Sequence, residues 1–254
     1  SACGYGEARF SYSLNGDGAS YTVHLKEGGV RHVEIPDTHK ALPVTRVSES
    51  VFRGRALESV RIPAFVSEIE LSDNVALEAY RVDLDNETYA SCDGVLFNKT
   101  YETLIHYPRG RKDKSYAMLD EVKRVEDGAF RGSRYLERVT IGKNVHTIGF
   151  LAFSESVALK HVRFPEDGVL TTIENSAFSH SEALESVFLP ASLESLGKYA
   201  FEGASALRVA QFHPVSPLAT LDHGTFYPDP TVRPDADGNP LRVLAPYRTA
   251  AWKG

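Results

Sequence analysis

The sequence predicts a right-handed solenoid of stacked coils, rich in β-structure, with short parallel strands and irregular or short helical returns. Two observations predict it. A small residue followed by Phe recurs along the chain, and from Phe130 onward the Phe residues are spaced by 23, 25, 23 and 25 positions. Five or six residues after each Phe comes the pattern Leu-x-x-apolar-x-apolar, often closed by Pro. A unit this small cannot bury its own apolar face, so each coil must stack on a neighbour.

The repeated positions define the elements of each coil. The Phe anchors are Phe52, Phe130, Phe153, Phe178, Phe201 and Phe226, of which the first and last have Val or Thr before them where the others have Ala. Alternation such as Val-x-Ile before Pro is typical of a short strand with one buried face. A second pair of apolar residues, three positions apart, precedes the Phe of most coils, as in Val145 and Ile148. We therefore expect a ladder of short parallel strands on one side of the stacked coils and a column of Phe rings inside them.

These motifs resemble the BspA-like (treponemal-type) leucine-rich repeats, which occur mainly in bacterial surface and secreted proteins. The resemblance rests on the Ala-Phe pairs, on segments such as Leu57-Glu-Ser-Val60-Arg-Ile62-Pro63, and on the Val-x-x-Ile elements, and it covers roughly residues 20–254. It implies a leucine-rich repeat solenoid. It also implies a cell-surface or secreted bacterial protein that binds other proteins in the manner of an adhesin, without catalysis.

The flanking segments predict caps on a single structural domain. Alternating apolar residues on both sides of Asn15-Gly16-Asp17-Gly18 predict a β-hairpin cap over residues 1–32. The solenoid then occupies residues 33–254. It includes a variant hairpin coil at about 86–118, whose basic loop at 109–114 we interpret as solvated, and a C-terminal cap at about 240–254.

Composition and motifs exclude several functions. The chain carries 28 Lys and Arg against 34 Asp and Glu, a net charge of −6 that argues against a nucleic-acid binder. No apolar run approaches the length that spans a bilayer. No catalytic, phosphate-binding or metal-binding motif is present, and two Cys residues are too few for a structural zinc site. We expect no cofactor and no metal, although a catalytic site assembled across coils stays an alternative.

The strand pattern itself predicts a binding surface. Residues on either side of the buried Val in each strand point outward. The outward residues that we single out as ligand-binding candidates are Arg61, Arg81, Arg138, His161, Arg163 and Phe188. Like charges on adjacent strands are destabilising, so such a row suggests retention for an acidic or polar partner. The alternative is a solvated face on which each Arg pairs with a nearby carboxylate.

Two further expectations concern the ligand and the location. An extracellular glycan is the alternative to a protein partner, and it would require Tyr89, Tyr101, Tyr107 and Tyr116 to form an exposed platform. The sequence opens Ser1-Ala2-Cys3-Gly4, which resembles the lipidation site of bacterial lipoproteins. Cys3 is thus a candidate for lipidation, as in an outer-membrane lipoprotein. The lipid anchor would then be the protein's only contact with a membrane.

Overall fold

Short β-strands dominate the computed structural model, which describes residues 9–26, 29–53, 56–72, 74–218, 221–226, 242–244 and 252–253. The chain divides into two compact units, the first from residues 1–100 and 107–111 and the second from residues 101–106 and 112–254. The helical elements in the described ranges are two 3-10 turns, Glu49–Val51 and His223–Phe226. The returns between strands are therefore irregular turns more than helices.

The first unit contains ten strands. They are β1 Phe10–Leu14, β2 Tyr21–Leu25, β3 His32–Glu34, β4 Thr38–His39, β5 Leu42–Val47, β6 Ser59–Ile62, β7 Glu68–Ile69, β8 Ala79–Val82, β9 Tyr89–Cys92 and β10 Val95–Asn98. Strands β1 and β2 form the predicted antiparallel hairpin, and β2, β5 and β7 pair in parallel. Strands β3, β6 and β8 form a second parallel ladder. The role of the hairpin as a cap, and the division of the chain into cap and solenoid, stay predictions.

The second unit contains thirteen strands in the described ranges. They are β11 Thr103–His106, β12 Ser115–Ala117, β13 Arg124–Val125, β14 Arg138–Thr140, β15 Thr147–Ile148, β16 His161–Arg163, β17 Thr172–Ile173, β18 Ser186–Leu189, β19 Ser195–Leu196, β20 Val209–Phe212, β21 Leu221–Asp222, β22 Arg242–Leu244 and β23 Trp252–Lys253. The first sheet has the order β12-β14-β16-β18-β20-β22, and the second sheet runs β11-β13-β15-β17-β19 within this unit. Every pairing in both sheets is parallel and joins consecutive coils. The chain thus passes from one sheet to the other and back in each coil, and the stacked coils form the predicted solenoid.

A stack of Phe rings runs through the core of the second unit. Successive rings of Phe130, Phe153, Phe178, Phe201 and Phe226 have centroids 4.6, 4.9, 5.3 and 5.3 Å apart and lie within 13° of parallel. Each ring is at most 4% exposed. The spacing is close to the roughly 4.8 Å between neighbouring strands, because both follow the rise of one coil. The predicted Phe column is confirmed.

The small residue before each Phe has a backbone role. The amide of Phe130 donates to the carbonyl oxygen of Ala152 (2.6 Å), and the amide of Phe153 donates to that of Ala177 (2.7 Å). The same bond recurs to the carbonyls of Ala200 and Thr225. Ala152, Ala177 and Ala200 are fully buried, so a longer side chain would separate the coils at this bond.

Tight turns flank each Phe and keep the return compact. Positive φ angles occur two residues before each Phe, at Gly128, Leu151, Ser176 and Tyr199, and two residues after, at Gly132, Glu155, His180 and Gly203. Buried serines satisfy the carbonyls left between these turns: Ser156 Oγ donates to Phe130 O (2.9 Å) and Ser181 Oγ to Phe153 O (2.8 Å). Buried polar groups with partners avoid the cost of about 1–3 kcal/mol for an unmade bond.

Two buried Asn residues stabilise turns of the first unit. Asn74 is 3% exposed, where the repeat would have Phe; its Nδ2 donates to Phe52 O (2.6 Å) and its Oδ1 accepts from the amides of Ala76 and Leu77. Asn86 is fully buried, and its amide makes four hydrogen bonds of 2.7–2.9 Å to backbone groups. A single planar amide thus supplies donors and acceptors where an apolar ring would leave backbone groups without partners.

The variant coil contains a tight hairpin in the first unit. Strands β9 and β10 pair antiparallel across Asp93-Gly94, both of which have positive φ. Arg111 Nη2 donates to Asp93 Oδ2 (2.6 Å), and the guanidinium lies 5.6 Å from the centre of the Tyr107 ring. The Arg111 side chain is only 12% exposed. The interpretation of the basic loop as solvated is therefore wrong for Arg111, because this residue holds the hairpin turn.

In the described ranges, no helix has the length and apolar character needed to cross a membrane.

Removal of one Phe ring tests how much the column contributes to the free energy of unfolding. We expect Phe178→Ala to lower the free energy of unfolding by about 3–5 kcal/mol, since it opens a cavity in a packed core. The matched control is Phe188→Ala, whose ring is 57% exposed and whose loss should change stability by about 0.5 kcal/mol or less. Chemical denaturation measures both. Equal effects of the two substitutions would contradict the structural role of the column.

Alkaline pH tests the burial of Tyr80 in the first unit. Tyr80 is 2% exposed, and burial raises its pKa above the ordinary value of 10.0. Because the unfolded chain ionises first, stability is present below pH 10 and falls as pH rises toward the folded pKa, by about 1.4 kcal/mol per pH unit. Tyr80→Phe should remove this loss. Parallel profiles of unfolding free energy against pH for both proteins would show that the hydroxyl is not buried.

Candidate functional site

The six predicted binding residues fall in both units. Arg61 and Arg81 face each other across the pairing of β6 with β8 in the first unit. Arg138, His161, Arg163 and Phe188 lie on β14, β16 and β18, which are consecutive strands of the first sheet in the second unit. We define the last four residues as the Arg–Phe patch.

Arg61 belongs to a cluster of carboxylates. Its Nη2 lies 2.8 Å from Asp83 Oδ2, its Nη1 lies 3.5 Å from Asp37 Oδ2, and its Nε lies 4.0 Å from Glu34 Oε2. Burial acts to lower the pKa of Arg61, but the charges and hydrogen bonds of Asp37 and Asp83 outweigh it and raise the pKa. This guanidinium is engaged within the fold, as the alternative of paired arginines predicts, and it offers little to a ligand.

Asp83 is held from two sides. The amide of Asp85 donates to Asp83 Oδ1 (3.1 Å), and Arg61 binds the other oxygen. Both contacts, the backbone hydrogen bond first, lower the pKa of the Asp83 carboxyl. The neighbouring Arg81 is exposed, and its side chain makes no hydrogen bond or ion pair with any residue in the described ranges. Arg81 alone therefore remains as a candidate in the first unit.

The register of the first sheet brings the Arg–Phe patch together. Arg138 pairs with His161, and Thr140 pairs with Arg163. His161 pairs with Ser186 and Val162 with Val187, which places Phe188 on the strand beside Arg163. All four patch residues are exposed, whereas Val139, Val162 and Val187 between them are buried. The predicted alternation of buried and outward residues is thus confirmed on these three strands.

The arginines of the patch differ in the charged groups that lie near them. Glu137 lies next to Arg138, but its Oε1 is bound by the Lys114 ammonium at 2.8 Å, and Lys160 lies 3.6 Å from the other oxygen. The hydrogen bond from Lys114, then the charges of Lys114 and Lys160, and to a smaller extent the charge of Arg138, lower the pKa of Glu137. The side chain of Arg163 has no ion pair or hydrogen bond with any residue that the structure describes. The patch thus keeps guanidinium groups that are available to carboxylates.

These residues combine two kinds of contact. Exposed guanidinium groups form bidentate hydrogen bonds to carboxylates, and Arg together with aromatic residues is enriched at the centres of protein interfaces. Phe188 is an apolar ring that costs little conformational entropy to dock, since it has two side-chain torsions. The arrangement therefore suits a partner that presents acidic groups around an apolar contact.

None of the four tyrosines predicted for a glycan platform is an exposed residue. Tyr107 is 1% exposed and packs below Arg111 in the first unit. Tyr89 is half-buried, and its hydroxyl donates to Ser67 O (3.3 Å). Tyr116, in the second unit, packs against Phe130 with ring centroids 5.9 Å apart. A platform of these four tyrosines has no support from their burial.

Within the described ranges, no group of three His, Cys, Asp or Glu side chains could hold a metal ion. Cys92 is a half-buried free thiol on β9. Cys3 lies outside the described residues, so its lipidation stays a prediction. The carboxylates around Arg61 were not predicted from the sequence, because they come from the coils on either side of it: Glu34 and Asp37 from the coil of β3, and Asp83 from the coil of β8. The signal that could have indicated them is the position of Arg61, about one repeat from Asp37 and about one repeat from Asp83.

Comparisons with known proteins agree with the fold. Residues 112–230 match the model of the BspA type leucine rich repeat region in six copies. The pneumococcal vaccine antigen PcpA has a similar structure, with a TM-score of 0.67 and 22% identity over 87% of this chain; the match spans 55% of that chain. Two other neighbours have TM-scores of 0.52. One is a leucine-rich repeat protein from Eubacterium ventriosum, with 16% identity over 85% of this chain and 82% of that one. The other, from Bacteroides ovatus, has 20% identity over 96% and 68%.

The structural similarity shows a shared leucine-rich repeat fold and confirms the predicted fold class. At these sequence identities it does not indicate a ligand for this chain. A comparison with curated protein sequences finds no match.

The contrast between Arg61 and Arg81 tests the structural interpretation of the first unit. We expect Arg61→Met to lower the free energy of unfolding by about 1–2 kcal/mol, since it leaves three carboxylates without their cation. Arg81→Met, the matched control on the next strand, should change it by about 0.5 kcal/mol or less. Chemical denaturation at low salt measures both. If the two substitutions had equal effects, the carboxylate cluster would have no structural role.

Proposed function

We propose that this chain is a non-catalytic protein-binding module of a bacterial surface or secreted protein, in keeping with the match of residues 112–230 to the BspA type of leucine-rich repeat. The single observation that carries the proposal is the exposed Arg–Phe patch on three consecutive strands of one sheet. Its expected partner is an extracellular protein with an acidic surface. The adhesin-like role and the lipid anchor at Cys3 are parts of the same proposal.

The energetics of the sheet support a binding role for the patch. Neighbouring strands lie about 4.8 Å apart, and like charges on one face of adjacent strands destabilise the sheet. Arg138 pairs with His161 and Arg163 pairs with Thr140, so the two guanidinium groups occupy diagonal positions on adjacent strands. No carboxylate in the described ranges forms an ion pair with Arg138 or Arg163. The binding of an acidic partner would relieve this repulsion, which ties the unfavourable arrangement to function.

The nature of a structurally similar protein supports a cell-surface or secreted location. The similar pneumococcal protein is described as a vaccine antigen, and an antigen useful in a vaccine is accessible at the cell surface. A solenoid also offers a broad, rigid face on which side chains can be exchanged without loss of the core. Fold similarity at this identity leaves the ligand open, so the partner's chemistry is argued from the patch alone.

Charge reversal in the patch tests the proposal. The purified chain is first screened against immobilised extracellular-matrix proteins by biolayer interferometry. For a partner so found, the double substitution Arg138→Glu, Arg163→Glu and the single substitution Phe188→Ala should each weaken binding about 10- to 30-fold, because both types of residue act as interface anchors. Binding should also weaken as salt rises, since exposed charges are screened.

The control for net charge is Lys26→Glu, which reverses an exposed charge on a residue that is not a binding candidate. It should leave the affinity within about twofold, since a single exposed charge outside the interface contributes little. If Lys26→Glu weakened binding as much as the patch substitutions, the effect would be one of overall charge. Unchanged affinity in both patch variants would remove the Arg–Phe patch from the function.

A further inference from the structure

A small pocket opens on the second sheet, away from the residues of the Arg–Phe patch. It has a volume of about 340 Å³ and is lined by residues of three consecutive coils: Phe150, Thr172, Ile173, Glu174, Asn175, Ser195 and Gly197. Known small-ligand sites run from about 300 to 1,000 Å³, so this one is of a size for one small molecule. We call it the Phe150 pocket.

The coils that line the pocket approach each other closely at Gly197. A Cβ atom at Gly197 would lie 2.4 Å from both Asn175 N and Glu174 C, so only Gly lets these coils come so near. A larger residue at this position would push the two backbones apart and change the shape of the pocket. The same holds in the neighbouring coil at Gly149, where a Cβ atom would be 2.5 Å from Asp127 Oδ1.

The walls of the pocket are held in place by interactions between coils. Arg124 Nη1 donates to Glu174 Oε1 (3.1 Å), and Arg124 Nη2 donates to Asp127 Oδ1 (3.0 Å). The amide of Phe150 donates to Asp127 Oδ1 (3.0 Å) and to Glu174 Oε2 (3.1 Å). The Phe150 ring, which is 44% exposed, is thus mounted on a backbone fixed from both sides. Such support gives a preorganised site.

The polar groups of the pocket include both donors and acceptors. Asn175 Oδ1 accepts from the amide of Lys198 (2.8 Å), while its Nδ2 group has no acceptor in the described ranges. Ser195 Oγ likewise has no hydrogen-bond partner there. Each Glu174 oxygen accepts one hydrogen bond and has lone-pair capacity left for a second. A ligand that fits must therefore accept from an amide and donate to a carboxylate.

We propose that the Phe150 pocket binds one ring of a neutral saccharide. Sugar hydroxyls both donate and accept hydrogen bonds, so adjacent hydroxyls can satisfy Glu174, Asn175 and Ser195 together. The apolar C–H face of a sugar ring packs against an exposed aromatic ring, which Phe150 provides. A cationic ligand fits less well, because it would compete with Arg124 for Glu174 and leave the Asn175 donors unmatched.

The experiment uses the full chain and monosaccharide probes. Saturation-transfer NMR and isothermal titration with glucose, galactose, mannose and N-acetylglucosamine should show binding of at least one sugar in the millimolar range. Phe150→Ala should weaken this binding about tenfold, since the stacking contact is lost. Asn175→Asp should also weaken it, because it keeps the acceptor for Lys198 and removes both donors. Phe150→Tyr should retain binding, because the ring is kept.

Controls separate this site from the proposed protein-binding function. Phe188→Ala removes an exposed ring of the same type on the other sheet and should leave sugar binding unchanged, whereas Phe150→Ala should leave binding of a protein partner unchanged. Thermal unfolding verifies that each variant is folded. The proposal is overturned if no sugar binds, if Phe150→Ala binds sugar as the wild type does, or if a cationic probe such as 1,4-diaminobutane binds and the sugars do not.

Discussion

The backbone hydrogen bond between the Phe of one coil and the small residue of the next is the interaction on which the second unit depends. It sets the distance between coils, and the Phe rings then stack at 4.6–5.3 Å because the backbone holds them one coil apart. Each coil thereby buries the apolar side of its neighbour, as a repeat architecture requires. Strand pairing, buried Val positions and Ser-bonded returns all follow from that single spacing.

The inward residues of each coil form the core, so the outward residues of the sheets do not take part in core packing. The two candidate sites use this freedom in different ways. The Arg–Phe patch consists of side chains that project from a flat sheet with few partners of their own. The Phe150 pocket is the reverse, a recess lined by three coils that approach closely at Gly197 and are joined by Arg124. A surface of projecting side chains and a preorganised recess can coexist because they occupy different sheets of the second unit.

Most of the fold could be predicted from the spacing of particular residues. Phe130 to Phe226 gave the period, and Val139, Val162 and Val187 gave the buried face, because periodic burial leaves a periodic trace in sequence. The repeat also placed Phe188 and Arg163 on the outside. Arg111, Asn74 and Asn86 show where this reasoning stopped. They sit where the repeat is irregular, and their partners are backbone groups or turns that no periodicity marks.

The sequence by itself determined that the chain folds into stacked coils, which faces are buried, and which side chains point outward, since these follow from local patterns that recur in every coil. Only the tertiary structure decided which outward charges are engaged. Arg61 and Arg163 occupy like positions in the repeat, yet Arg61 meets Asp83 and Asp37, whereas Arg163 meets no carboxylate in the described part of the chain. The physical reason is that an ion pair depends on distances between coils to within an ångström, and the pattern of one coil does not contain them.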